Sequence, residues 1–111
     1  MAQSFKGLAT LYVEQGQYAE AELLFQRALS IQEQTRGKQH VETADTLHDL
    51  AACQQAQGKC QQAAPLYQRA LAIREQVLGA EHPKTTDTRE RLCAALTALE
   101  RKEEMFKQEN A

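Results

Sequence analysis

Apolar residues recur along the chain with the spacing of helices. The stripe is clearest in the second predicted helix, where its members are Ala21, Leu24, Phe25, Ala28 and Leu29. This i, i+3, i+4, i+7, i+8 order places them on one side of a helix. No segment alternates apolar and polar residues with a period of two, so we predict no strands. We predict helices over 2–15, 18–35, 42–57, 60–78 and 84–108.

The sequence repeats itself after 42 residues. Between residues 8–46 and 50–88, 18 of 39 positions are identical, which indicates duplication of a structural unit. Gly16 recurs as Gly58 between the two helices of each unit, where a positive φ costs glycine little.

The duplication divides the chain into two full units and part of a third. We assign residues 1–41 to the first repeat, with a slightly truncated first helix, 42–83 to the second and 84–111 to a partial third repeat. In the third unit Glu100 stands where the turn glycine would be, so the helix should continue and form a cap with a polar outer face. Because Met1 aligns with Thr43, we expect the chain to be part of a longer array.

The bulky and small residues of each unit resemble the tetratricopeptide repeat (TPR) family. In the first unit the family pattern falls on Phe5, Leu8, Ala9, Tyr12, Gly16, Tyr18, Ala21, Phe25 and Ala28. In the second it falls on Leu47, Leu50, Ala51, Gln54, Gly58, Cys60, Ala63, Tyr67 and Ala70. The 42-residue length and the stretch 70–83 resemble the kinesin light chain subtype. The resemblance implies an all-α fold, an α-α superhelix (TPR solenoid) with two full helix-turn-helix repeats and a C-terminal capping helix.

The resemblance also implies a binding face. In such solenoids the first helices line a concave groove that takes extended peptide. The matching positions are Gln3, Lys6, Thr10, Val13, Asp45, His48, Ala52, Gln55, Asp87, Glu90, Ala94 and Thr97. Several carboxylates with one Lys and one His favour basic or polar peptides, and a solvated face without a ligand is the alternative interpretation.

Two functions remain open at this point. The first is a non-enzymatic scaffold that binds a peptide or partner protein in the groove. The second is self-association into a homo-oligomer through apolar end faces, which we expect to include Phe5, Leu8, Leu92 and Leu99. The net charge of −2 and the absence of a basic patch disfavour nucleic acid as a partner. Short apolar runs and a start without signal-peptide character favour a cytoplasmic protein that does not enter a membrane.

The residues that most often carry chemistry have structural interpretations here. The three cysteines are odd in number and irregularly spaced, so we predict reduced thiols and no metal site. Cys93 aligns with Ala9 and Ala51, which predicts a small core residue. His40 recurs as His82 in the loops, where a ring that packs or hydrogen-bonds the loop ends explains the repetition. No catalytic or cofactor motif is present, so we predict neither an enzyme nor a cofactor.

Overall fold

The computed structural model describes the backbone of residues 2–35, 37 and 40–109, and the side chains of 5–35, 37 and 40–101. This part of the chain contains no strand and forms five helices: α1 (Ala2–Glu14), α2 (Tyr18–Thr35), α3 (Val41–Ala56), α4 (Cys60–Leu78) and α5 (Pro83–Glu109). The all-α prediction is confirmed, and every helix end lies within one residue of the predicted one.

The helices pack in the order in which the chain makes them. The main contacts join α1 to α2, α2 to α3, α3 to α4 and α4 to α5. The molecule is correspondingly elongated, with extents of 51 × 32 × 22 Å. Packing between neighbours along one direction is the architecture of a solenoid. The predicted superhelix of helical pairs with a terminal helix is therefore confirmed.

Alanines stand at the helix crossings. Those that recur between the two units are fully buried, namely Ala9, Ala21, Ala28, Ala51, Ala63 and Ala70. A small side chain allows two backbones to approach closely. Buried Leu47, Tyr67 and Ile73 fill the space beside these crossings. The core thus forms three connected clusters along the solenoid.

Local chemistry sets the helix ends. Gly16 and Gly58 turn the chain within each helical pair at φ of 79° and 82°, which glycine adopts most readily. The imidazole Nδ1 of His40 accepts a hydrogen bond of 3.1 Å from the backbone N–H of Glu42 and so caps α3. His82 accepts the equivalent bond from Lys84. The structural interpretation of both histidines is confirmed.

The terminal helix α5 corrects two predictions. Cys93 is exposed rather than buried, because among the described residues no second helix packs on its side of α5 as α2 covers Ala9 and α4 covers Ala51. Leu92 and Leu99, expected on a free end face, instead pack against the cluster around Tyr67. The outward side of α5 is mainly polar, with Leu96 as its partly exposed apolar residue.

Candidate functional site

The first helix of each unit contributes to one face of the solenoid. We call this the first-helix face and define it by the twelve groove positions predicted above on α1, α3 and α5. Thr10, Asp87, Glu90, Ala94 and Thr97 are exposed on it, and Lys6, Val13, Asp45, Ala52 and Gln55 are half-buried. His48 is buried. Gln3 lies in α1, but its side chain is outside the described residues.

A pocket of about 270 Å³ opens between α1 and α3 and is floored by α2. Three predicted groove residues line it, Thr10, Val13 and Ala52. Its other lining residues were missed at the sequence level and are Tyr18, Phe25, Asp49, Cys53 and Ala56. Tyr18 and Phe25 match the core pattern of α2. Nothing in the repeat indicates that their rings also line the pocket on the first-helix face.

Asp49 contributes the charge of this pocket. Burial raises the pKa of its carboxyl group, while the nearby Lys6 ammonium acts in the opposite direction. Little in the repeat pattern indicates this role, because Asp49 aligns with Gly7 in the first unit and Arg91 in the third. The pocket therefore combines apolar walls with one partly desolvated carboxyl group.

A hydrogen bond from a cysteine stabilises the floor of the pocket. The Cys53 thiol donates a hydrogen bond of 3.1 Å to the backbone carbonyl of Tyr18, which joins α3 to α2. Burial raises the pKa of this thiol, and the Glu22 carboxylate raises it further. Cys53 is therefore a protonated, apolar part of the floor rather than a nucleophile.

A buried polar cluster lies farther along the same face. The guanidinium of Arg74 in α4 donates to Asp45 of α3 at 2.7 Å and to Thr88 of α5 at 2.6 Å. It also donates to the backbone carbonyl of Lys84 at 3.2 Å. Only 6% of the Arg74 side chain is exposed, so these bonds form largely away from water. Arg74 thus joins three helices at the junction between the second repeat and α5.

The junction between the first and second repeats, where α3 packs on α2, contains an uncharged hydrogen bond at the equivalent positions. Gln32 aligns with Arg74, and Thr46 aligns with Thr88. In the structure the Thr46 hydroxyl donates to the Gln32 amide oxygen. Both threonines also donate to the backbone carbonyl four residues earlier. The polar link between successive units was not predicted, although the recurrence of Thr46 and Thr88 was its visible signal.

His48 belongs to this cluster and is neutral near pH 7. Burial and the neighbouring cations of Arg74 and Arg91 lower its pKa to about 4. Its Nδ1 lies 3.5 Å from a guanidinium nitrogen of Arg74, which can only donate, so the ring proton belongs on Nε2. Nε2 faces the Asp87 carboxylate at 3.5 Å. His48 therefore contributes no positive charge to the groove near pH 7, and Lys6 is the cation among the predicted groove residues.

Most carboxylates of the face already have partners. Asp45 pairs with Arg74, and Asp87 faces both His48 and the guanidinium of Arg91 at 3.5 Å. Within the described part of the chain, Glu90 is exposed and forms no ion pair. Glu90 and the partly buried Asp49 are thus the acidic groups most available to a ligand.

Among residues whose side chains the structure describes, no three of His, Cys, Asp and Glu come together as a metal site requires. None of the described helices combines the length and apolar character needed to cross a membrane.

Solved structures share this arrangement. BtubC (BKLC) from P. vanneervenii superposes with a TM-score of 0.81 at 20% identity, over 87% of this chain and 38% of that one. The nearly identical TPR-like repeats of a Podosopora anserina protein of kinesin light chain type superpose with a TM-score of 0.78 at 31% identity. That match covers 89% of this chain and 47% of the other, so the chain spans less than half of each structure. A search of curated proteins finds no match.

A family model also matches the amino-acid sequence. A tetratricopeptide repeat model aligns with residues 1–76, which include both helical pairs almost completely. Repeats of this family generally serve as non-enzymatic scaffolds for protein–protein interaction. The chain belongs to the tetratricopeptide repeat family, and its 42-residue units are similar to those of kinesin light chain-like repeat structures.

Proposed function

We propose that the chain binds an extended peptide or a segment of a partner protein on its first-helix face. The pocket between α1 and α3 would receive one apolar side chain of that ligand. The observation that carries this proposal is the location of the pocket among Thr10, Val13 and Ala52, where the family resemblance implies a groove.

The size of the pocket favours a side chain over a small molecule. Sites for drug-sized ligands usually enclose about 300–1,000 Å³. This pocket has about 270 Å³ and opens toward solvent, so it suits one aliphatic or aromatic residue of a longer ligand. The rest of the ligand would extend along α3 and α5, past Gln55 and Glu90.

The charges support a basic or polar ligand. Asp49 lies in the pocket wall, and exposed Glu90 lies farther along the face. A Lys or Arg next to the apolar anchor residue would pair with Asp49 and remove the cost of its burial. We propose that the chain meets such a ligand in the cytoplasm.

A displayed peptide library tests this proposal. Selection should enrich an aliphatic or aromatic residue beside Lys or Arg, and a selected peptide labelled with a fluorophore then serves as the probe for anisotropy. Ala52→Phe fills the pocket and should weaken binding at least about tenfold, because a lost apolar anchor contributes about 1.5–3 kcal/mol.

An alanine outside the first-helix face supplies a matched control. Ala72 of α4 is exposed and is not among the groove positions. Ala72→Phe adds the same bulk and should leave the affinity unchanged. A peptide that binds the Ala52→Phe variant as well as the wild type would refute the pocket as its site.

Self-association is the second candidate function. It is favoured by three exposed leucines on the first helical pair, Leu8, Leu11 and Leu23, which are 44%, 53% and 62% exposed.

A further inference from the structure

Equivalent residues lie at the same point between successive first helices. Between α3 and α5 this residue is His48, whose Nδ1 lies 3.3 Å from the Thr88 hydroxyl and whose Nε2 lies 3.5 Å from the Asp87 carboxylate. A shift of 42 residues aligns His48 with Lys6 of α1. The same direction takes the half-buried Lys6 side chain from α1 toward α3. Lys6 therefore belongs to the junction that also contains the pocket with Asp49.

Two carboxylates of α3 lie on the side that faces Lys6. Asp45 is the counterpart of Asp87, but its carboxylate already accepts a hydrogen bond of 2.7 Å from Arg74. Asp49 lies one helical turn later, lines the pocket and forms no ion pair with another described residue. Asp49 is thus the carboxyl group that remains for Lys6.

Lys6 is the most influential cation near Asp49. Burial raises the pKa of the Asp49 carboxyl group, and Lys6 opposes this effect more strongly than any other group. Asp45 on the same helix raises the pKa of Asp49 further, whereas Arg74 of α4 and Arg91 of α5 lower it. The field at this end of the pocket therefore depends mainly on one side chain of α1.

The two arginines are engaged with other carboxylates. Arg74 pairs with Asp45, and Arg91 lies 3.5 Å from Asp87 on its own helix. In the described part of the chain Lys6 has no such ion pair, and its backbone carbonyl accepts a hydrogen bond of 2.9 Å from Thr10, which lines the pocket. The Lys6 ammonium is therefore the unpaired cation that a ligand at Asp49 would meet.

We propose that Lys6 is a specificity-determining residue that competes with a basic ligand for Asp49. This inference rests on the peptide binding proposed above. A Lys or Arg of the ligand would be attracted by Asp49 and repelled by Lys6, so Lys6 lowers the affinity for basic segments and makes the apolar anchor the main determinant of binding. The contact lies between α1 and α3, so a helix packed on the other side of α1 would leave it unchanged.

The titration of Asp49 tests this contact without a ligand. Lys6→Met retains an unbranched side chain and removes the charge. The midpoint of the Asp49 titration, followed by NMR of the side-chain carboxyl groups, should move to higher pH in this variant, and Lys6→Arg should keep it near the wild-type value. Lys59→Met is the matched control, because Lys59 pairs with Glu22 and is not among the charges that act on Asp49.

Anisotropy with two labelled peptides tests the competition itself. One is a selected peptide with a basic residue, and the other is its copy with Gln at that position. Lys6→Met should tighten binding of the basic peptide about two- to fivefold, the effect of a partly exposed charge pair, and should leave binding of the Gln copy unchanged. In an Asp49→Asn background Lys6→Met should no longer tighten binding.

Two results would overturn the role of Lys6. They are an Asp49 midpoint that Lys6→Met leaves unchanged, and equal tightening of both peptides. Failure of the peptide-binding proposal would look different. In that case the peptides would bind the Ala52→Phe variant as well as the wild type, while the Asp49 titration would still respond to Lys6→Met and support the contact.

Discussion

Truncation of Arg74 measures what holds the terminal helix α5 in place. Arg74→Ala removes the hydrogen bonds to Asp45, Thr88 and the carbonyl of Lys84 at once. The bond to Asp45 is charge-assisted, and such bonds contribute about 1.5–3 kcal/mol. Because Asp45 keeps 27% of its side chain exposed, water compensates part of its loss. We expect the free energy of unfolding to fall by about 2–3 kcal/mol, a large part of the total for a small domain.

Two matched variants separate this effect from a general loss of arginine. The Arg69–Glu33 pair has a similar length of 3.0 Å, but the arginine side chain is 45% exposed. Arg69→Ala should therefore cost no more than about 1 kcal/mol. Arg74→Gln copies the Gln32–Thr46 link of the first junction and should recover about half of the loss caused by Arg74→Ala.

Urea unfolding followed by far-UV circular dichroism gives these free energies. Hydrogen exchange should show faster exchange in α5 of the Arg74→Ala variant and little change in α1. Equal destabilisation by Arg74→Ala and Arg69→Ala would refute this role of Arg74. So would an increase in exchange that is not concentrated at the junction of α4 with α5.

Three further measurements address other parts of the structure. The pKa of His48 is about 4 in the folded protein and about 6.5 in the unfolded chain. Its contribution to the free energy of unfolding is therefore complete above pH 6.5 and is lost as the pH falls toward 4. The free energy of unfolding, measured with urea, should fall by about 2 kcal/mol between pH 7 and 5. His48→Gln should remove this pH dependence, and an unchanged pH profile in that variant would contradict the neutral ring. Gly58→Ala should lower stability by about 1 kcal/mol because of its φ of 82°, whereas Gly7→Ala, with open space in α1, should raise it by about 0.5–1 kcal/mol. A thiol reagent should modify Cys93 quickly and Cys53 only at the rate of unfolding, and equal rates would be inconsistent with the burial of Cys53.

The helices could be predicted because their signals are local. The signals act within one unit: they are glycines at the turns, histidines at the caps and alanines at fixed intervals. Each of them occurs in both copies of the repeat. The end of α2 and the start of α3 follow directly from such residues. For the same reason, the confirmed family resemblance required no knowledge of how the units pack together.

The environment of individual side chains was harder to predict because it depends on the neighbouring unit. His48 was placed in the groove by its position, but Arg74 and Thr88, which approach it from α4 and α5, remove it from solvent. Cys93 was placed in the core by analogy with Ala51, yet no described helix covers it. Asp49 escaped prediction because charge at its position does not recur. A periodic pattern therefore fixes the direction of a side chain but not what lies against it.

The packing of each helix mainly on its sequence neighbours has a mechanical consequence. A force applied along the long axis would be carried through the junctions in series, so the weakest junction would yield first while the others kept their shape. The junction at α2 and α3 includes the neutral Gln32–Thr46 link, and the junction at α4 and α5 includes an ionic one. Under tension we therefore expect the molecule to open one junction at a time into separate helical hairpins.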